Sequence, residues 1–147
     1  SSFPKNSLRI YYIDDSAMAR RIMESCLQQI TTHDKIGLFG HTADDIPPFL
    51  ESVLEDGDIA ILDQNLDFQG SPGALGSELV KHLLREGFSG LICIRSGNTS
   101  AEDVKQYMAS GAHLVLDKDE GRASILHKLK AAYLHHIEEE GLSFINL

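Results

Sequence analysis

The chain has 147 residues, 42% of them hydrophobic, and a net charge of −9 at neutral pH, which suits one globular domain, 1–147, with one core. Lys and Arg are scattered, whereas binding to a nucleic acid backbone needs them clustered, so a nucleic acid partner is not expected. No apolar stretch approaches the ~20 residues of a membrane span and no signal peptide stands at the start, so the chain reads as cytoplasmic with no membrane contact.

The first apolar run, LRIYYI, predicts a strand over Leu8 to Ile13, closed by the acidic pair Asp14 and Asp15. A helix follows from about Ser16 to Ile30. Ser16 is its N-cap candidate, and Met18, Ile22, Met23, Cys26, Leu27 and Ile30 form one apolar stripe. A weaker strand over Ile36 to His41 precedes a helix near Asp44 to Leu54, with Pro47 and Pro48 in its first turn, where a missing N–H costs little. The third strand, Asp58 to Leu62, ends at Asp63. The polar segment after it, QNLDFQGSPGALG, is rich in glycine and reads as a mobile loop.

A helix from about Ala74 to Glu86 stops near Gly87, and a strand over Leu91 to Arg95 ends at Ser96. The next helix runs from roughly Ser100 to Ala109 and closes on Ser110 and Gly111. A last strand, His113 to Leu116, precedes Lys118 and a helix from about Arg122 to Glu139, whose Ile125, Leu129, Ala132, Tyr133, His136 and Ile137 recur at helical spacing. Strand and helix signals thus alternate strictly, as in parallel βα units. The expected fold is a doubly wound α/β sheet of five parallel strands in the order 2-1-3-4-5, flanked by five helices in the flavodoxin-like manner.

Ligands of such sheets bind outside the carboxyl ends of the strands, where Asp14, Asp15, Asp63, Ser96 and Lys118 all fall. Three clustered carboxylates repel one another and stay ionised together only beside a cation. Mg²⁺ takes hard oxygen ligands and pairs carboxylates with phosphate, which points to phosphoryl chemistry with Asp63 as a carboxylate nucleophile. Lys118 and the Ser96 hydroxyl are placed to meet phosphoryl oxygens.

Over about residues 8–139 the chain resembles a response regulator receiver domain of two-component signalling. The resemblance rests on Asp14 and Asp15 in IDDS, Asp63 in ILDQN, Ser96 with Gly97 in RSGN, and Lys118 in LVLDK. It implies that Asp63 is phosphorylated from a phosphohistidine of a histidine kinase or histidine phosphotransfer protein. It implies too that Asp14, Asp15, Asp63 and the Asn65 backbone carbonyl hold Mg²⁺, and that Ser96 and Lys118 read the phosphoryl group. A downstream output domain or protein is the further partner, with the domain itself a monomer; excision from a hybrid histidine kinase is an open expectation.

Four positions depart from the family pattern. Asp67 stands where proline is frequent, Val115 replaces the aromatic residue whose rotation accompanies activation, and Asp119 replaces the proline after the lysine, leaving a peptide that is either trans or strained. The fourth, Arg95, is expected at a solvated rim rather than across the sheet end, since Arg is rarely fully buried.

Cys26 and Cys93 read as buried apolar side chains of a reducing compartment. His41 and His113 fall at strand positions, and His135 and His136 with Glu138 and Glu139 read as a solvated surface rather than metal ligands. Besides the phospho-acceptor, a receiver-like interaction module that works without phosphorylation stays open, supported by Val115 and Asp119. A phosphohydrolase would need a general acid two residues after its nucleophile, and Asn65 cannot serve as one.

Overall fold

The computed structural model describes residues 3–145. The short apolar runs become β1 (Ile10–Ile13), β2 (Ile36–Phe39), β3 (Ile59–Asp63), β6 (Leu91–Ser96) and β7 (Leu114–Asp117), paired in parallel in the order β2-β1-β3-β6-β7. That is the expected 2-1-3-4-5 arrangement, with two extra two-residue strands, β4 (Asn65–Leu66) and β5 (Ala74–Leu75), paired antiparallel beside it. Every residue of β3 and β6 is buried, as strands covered by helices on both faces must be. The helices are α1 (Ala17–Leu27), α2 (Ile46–Asp56), α3 (Gly76–Arg85), α4 (Ala101–Ser110) and α5 (Arg122–Ile145).

Alternation along the strands divides the core. Tyr12, Ile59, Ile61 and Cys93 pack with Met23 and Leu27 of α1 and Leu129 of α5. The intervening Ile13, Leu62, Ile92 and Ile94 pack with Phe49 of α2, Val80 of α3 and Tyr107 of α4. The period-2 pattern therefore sends neighbouring residues to opposite layers.

Three elements differ from the sequence expectation. Ser16 caps α1, accepting from the Ala19 N–H at 3.2 Å, but α1 ends at Leu27 rather than Ile30. Met18 and Ile22 are 63% and 50% exposed, so they are not part of the buried stripe. The buried face keeps the expected Met23, Cys26 and Leu27 and adds Arg20, whose guanidinium donates to the Asp14 carbonyl at 2.7 Å. His41 lies beyond β2 and His113 just before β7, so neither is a strand residue, and β7 runs one residue later than expected, to Asp117.

The third difference is the segment after Asp63, which is held rather than open. Phe68 is buried in the core, and α3 starts at Gly76 because Ala74 and Leu75 belong to β5. The Gly76 N–H donates to the Gln64 carbonyl at 2.8 Å, while the Gln64 side chain accepts from the Ser77 N–H at 2.9 Å and donates to its hydroxyl at 3.0 Å. This fold-back presses Gly76 on the end of β3, where a Cβ would stand 2.5 Å from the Asp63 carbonyl oxygen.

Gly76→Ala is expected to destabilise the protein by about 1–3 kcal/mol, since backbone at the site must shift to admit the methyl group. Urea unfolding measures it, with Gly121→Ala, where nothing stands within 4 Å, as a control expected within about 0.5 kcal/mol of wild type.

Candidate functional site

The strand ends bring the expected residues together. Asp14 and Asp15 follow β1, Asp63 ends β3, Ser96 ends β6 and Lys118 follows β7. Asp14, Asp15 and Asp63 each offer a carboxylate oxygen within 4.8 Å of the others, the only such cluster of His, Cys, Asp or Glu among the described residues. Lys118 Nζ reaches Asp14 Oδ2 at 2.6 Å and Asp63 Oδ1 at 3.3 Å. Its own N–H donates to the Ser96 carbonyl at 3.0 Å, which ties the lysine to the end of β6.

Burial and charge then set the protonation of these groups. Asp14 is fully buried and Asp63 is 5% exposed. Burial raises the Asp14 carboxyl, but hydrogen bonds from Lys118, from the Tyr12 hydroxyl and from the Ser16 N–H outweigh it and leave it below the ordinary carboxylate value. Asp63 goes the other way. Its burial, reinforced by the Asp14 charge and only partly opposed by Lys118, pushes it up to about 7. Three carboxylate oxygens within 4.8 Å of one another are hard donors of the kind Mg²⁺ takes.

A layer of polar side chains that sequence reasoning did not single out supports this cluster. Tyr12, two residues before Asp14 on the same face of the strand, donates its hydroxyl to Asp14 Oδ2. Arg95 is not at a solvated rim: it is 4% exposed, and lies across the sheet end. Its Nη1 donates to the Tyr12 hydroxyl at 3.1 Å and its Nη2 to the Lys118 carbonyl at 3.4 Å, which offsets part of its desolvation, while its buried Nε has no partner among the described residues. Arg20 holds the other side of Asp14 through its carbonyl, and its Nη2 lies 3.3 Å from His41 Nδ1. Spacing reveals Tyr12, since residues two apart on a strand share a face, but nothing in the sequence marks Arg20 or Arg95 as partners of the site.

The remaining expected residues are placed as follows. Asn65 is exposed at the start of β4. The Ser96 hydroxyl is fully buried and bonded to the Asn98 N–H at 3.0 Å and to the Tyr107 hydroxyl at 3.1 Å, with no hydrogen bond to the three carboxylates. The Asp67 N–H donates to Asp15 Oδ2 at 3.3 Å. No peptide among the described residues is cis, so Lys118–Asp119 is trans; the turn is fixed by the Asp119 N–H on Asp117 Oδ1 at 2.7 Å and the Asp117 N–H on Glu120 Oε1 at 2.9 Å.

His136 follows its place in the helical stripe rather than the solvated surface expected for it with His135, Glu138 and Glu139. It is buried, its Nε2 lies 2.7 Å from the Ser89 carbonyl, and its ring stands 4.5 Å from that of His113. His113 Nδ1 accepts from the Ile92 N–H at 2.9 Å, and burial together with His136 lowers its pKa. His135 is exposed and pairs with Glu139 at 3.0 Å.

No protein-family model matches the sequence, and no curated protein matches it. Solved structures do. A CheY-like response regulator receiver domain protein from Methanospirillum hungatei aligns over 90% of this chain and 98% of its own at a TM-score of 0.71, with 18% identity. The BeF3-activated DrrB receiver domain aligns over 84% and 94% at 0.67, also with 18% identity. This chain has the fold of a response regulator receiver domain.

The same receiver fold aligns with NtrX from Brucella abortus at a TM-score of 0.76 and 18% identity, over 92% of this chain but 29% of NtrX. Within the receiver fold the acidic cluster lies at the carboxyl edge of β1 and β3, where the strand order reverses.

A neutral residue at position 63 is expected to stabilise the metal-free chain at high pH. The folded Asp63 ionises near pH 7 and the unfolded one near its ordinary 3.8. The stability it contributes is therefore present in full below pH 3.8 and is lost as pH rises through 7. Asp63→Asn should gain on the order of a few kcal/mol over wild type above pH 7 and almost nothing at pH 4. Thermal melts across that range in chelator measure the difference.

Proposed function

We propose that the chain is the phospho-accepting receiver domain of a two-component phosphorelay, taking a phosphoryl group from a phosphohistidine onto Asp63. The observation that carries this reading is a nearly buried carboxylate, Asp63, with an ammonium 3.3 Å away and two more carboxylate oxygens within 4.8 Å. In its ionised form Asp63 attacks phosphorus; an Asp63 O–P bond forms, the P–N bond of the phosphohistidine breaks, and the imidazole leaves with the bond's electron pair and takes a proton.

Lys118 meets the charge of the transferred group, and the Ser96 hydroxyl donates to one of its oxygens. Asp14, Asp15, Asp63 and the Asn65 backbone carbonyl are the groups that would hold Mg²⁺, whose charge, when bound, offsets that of the phosphoryl oxygens. Phosphorylation adds about −1.5 to −2 units of charge and shifts an equilibrium between two conformations, which switches partner binding. The resulting acyl phosphate is lost by hydrolysis at the same site, so the domain turns over no separate substrate.

The partners are a histidine kinase or histidine phosphotransfer protein upstream and an output domain or protein downstream, the whole chain acting as one monomeric cytoplasmic receiver with its core over residues 8–139. No helix among the described residues is long and apolar enough to cross a membrane. A second reading, a module that binds partners without phosphorylation, draws support from the Ser96 hydroxyl being bonded to Tyr107 and Asn98 rather than to the acidic cluster.

Intact-protein mass spectrometry after incubation with acetyl phosphate and Mg²⁺ decides between them. The receiver reading expects one phosphoryl adduct, labile to base and lost in Asp63→Asn. An adduct that survives in Asp63→Asn, or none at all with a range of small phosphoryl donors, would leave the second reading.

A further inference from the structure

We infer that Tyr107 is a positioning residue that holds the Ser96 hydroxyl back from Asp63 and thereby couples α4 to the phosphorylation site. The inference rests on the receiver reading above and concerns a residue on a helix, not on the strand that precedes Lys118, where this chain has Val115.

Proton counting carries it. The Tyr107 hydroxyl lies 3.0 Å from the Asn98 carbonyl, which can only accept, so the single phenolic proton goes there. Ser96 Oγ accepts from the Asn98 N–H at 3.0 Å. The contact between Ser96 Oγ and the Tyr107 oxygen at 3.1 Å therefore takes the one proton that Ser96 has. A serine in this state cannot donate to an oxygen on Asp63 without first giving up Tyr107.

Burial makes the exchange consequential. Ser96 is fully buried and Tyr107 is 4% exposed, so water does not replace the broken bond at either hydroxyl. The Tyr107 ring is part of the core between the sheet and α2–α4, and Val115 packs against that cluster. When Ser96 turns to an oxygen on Asp63, the Tyr107 hydroxyl loses its donor while the Asn98 carbonyl still holds it, and the C-terminal half of α4 repacks around the ring. The hydroxyl contact thus favours the resting state and is released on activation.

The test is titration of the full chain with beryllium fluoride in Mg²⁺, an aspartyl phosphate mimic, read by calorimetry on wild type, Tyr107→Phe, Ser96→Ala and the double variant, with Asp63→Asn as the site control. Tyr107→Phe deletes only the hydroxyl and should bind the mimic about 3- to 10-fold more tightly than wild type, the range a net hydrogen bond supplies. That gain should fall below about 2-fold in the Ser96→Ala background, because the two hydroxyls act through one bond.

A merely structural role would lower the melting temperature of Tyr107→Phe and leave the affinity unmoved or weaker, and that result overturns the inference. A gain that persists undiminished without the Ser96 hydroxyl overturns it as well. If wild type shows no Asp63-dependent binding, the receiver reading itself fails and the coupling with it; binding in wild type with no gain in Tyr107→Phe removes the coupling alone. Should Tyr107→Phe not fold, ring-labelled wild type gives the answer: the Tyr107 resonance should shift on adding the mimic, and an unmoved resonance overturns the inference.

Discussion

Everything at this site follows from too many carboxylates at one edge of the sheet. At an effective dielectric of about 20, two carboxylates 4 to 5 Å apart repel by about 3–4 kcal/mol. Lys118 bridges Asp14 and Asp63, but no ammonium or guanidinium pairs with Asp15 among the described residues. The excess charge is relieved in one of two ways, by a proton or by a cation. The high pKa of Asp63 is the first of these, and a cluster of oxygen donors open to Mg²⁺ is the second. A phosphoryl acceptor benefits from such a poise, because the carboxylate that holds its proton weakly at neutral pH ionises as soon as positive charge arrives.

The rest of the structure keeps these groups close despite their repulsion. Tyr12 and the Ser16 N–H hold the two oxygens of Asp14, and Arg20 grips its carbonyl, so the buried aspartate cannot swing away. Arg95 braces Tyr12 and the backbone of Lys118 together, linking β1 to the turn after β7 beneath the pocket. On the far side, the close approach of Gly76 and the Gln64–Ser77 pair fold the chain back directly after Asp63. The acidic edge is thus held by hydrogen bonds from buried neutral and cationic groups anchored elsewhere in the fold, although the buried Arg95 Nε has no partner among the described residues.

The topology and the acidic cluster were legible because both depend on order along the chain. Strand ends of a parallel sheet must lie at one edge, so Asp14, Asp15, Asp63 and Lys118 could be assigned to one pocket from apolar runs alone. What escaped depended on side-chain partners. Arg95 was read at a solvated rim and Arg20 lay outside the apolar stripe, yet both are buried with an oxygen acceptor within reach, while Met18 and Ile22 of the stripe face solvent. The segment after Asp63 looked like a loop by composition, but pairing of Asn65–Leu66 with Ala74–Leu75 and burial of Phe68 are long-range choices that no local pattern encodes. Ser96 was assigned to the pocket at the strand ends by its position, and its partner Tyr107 sits eleven residues away on a helix whose contacts the sequence does not specify.

The most direct test of this account is a Mg²⁺ titration of the metal-free chain followed residue by residue in ¹⁵N–¹H spectra. The account predicts saturable shifts concentrated at residues 14–16, 63–67 and 96–98 and at Lys118, absent in Asp63→Asn. Shifts scattered over the acidic surface, or none at the ends of β1 and β3, would contradict it.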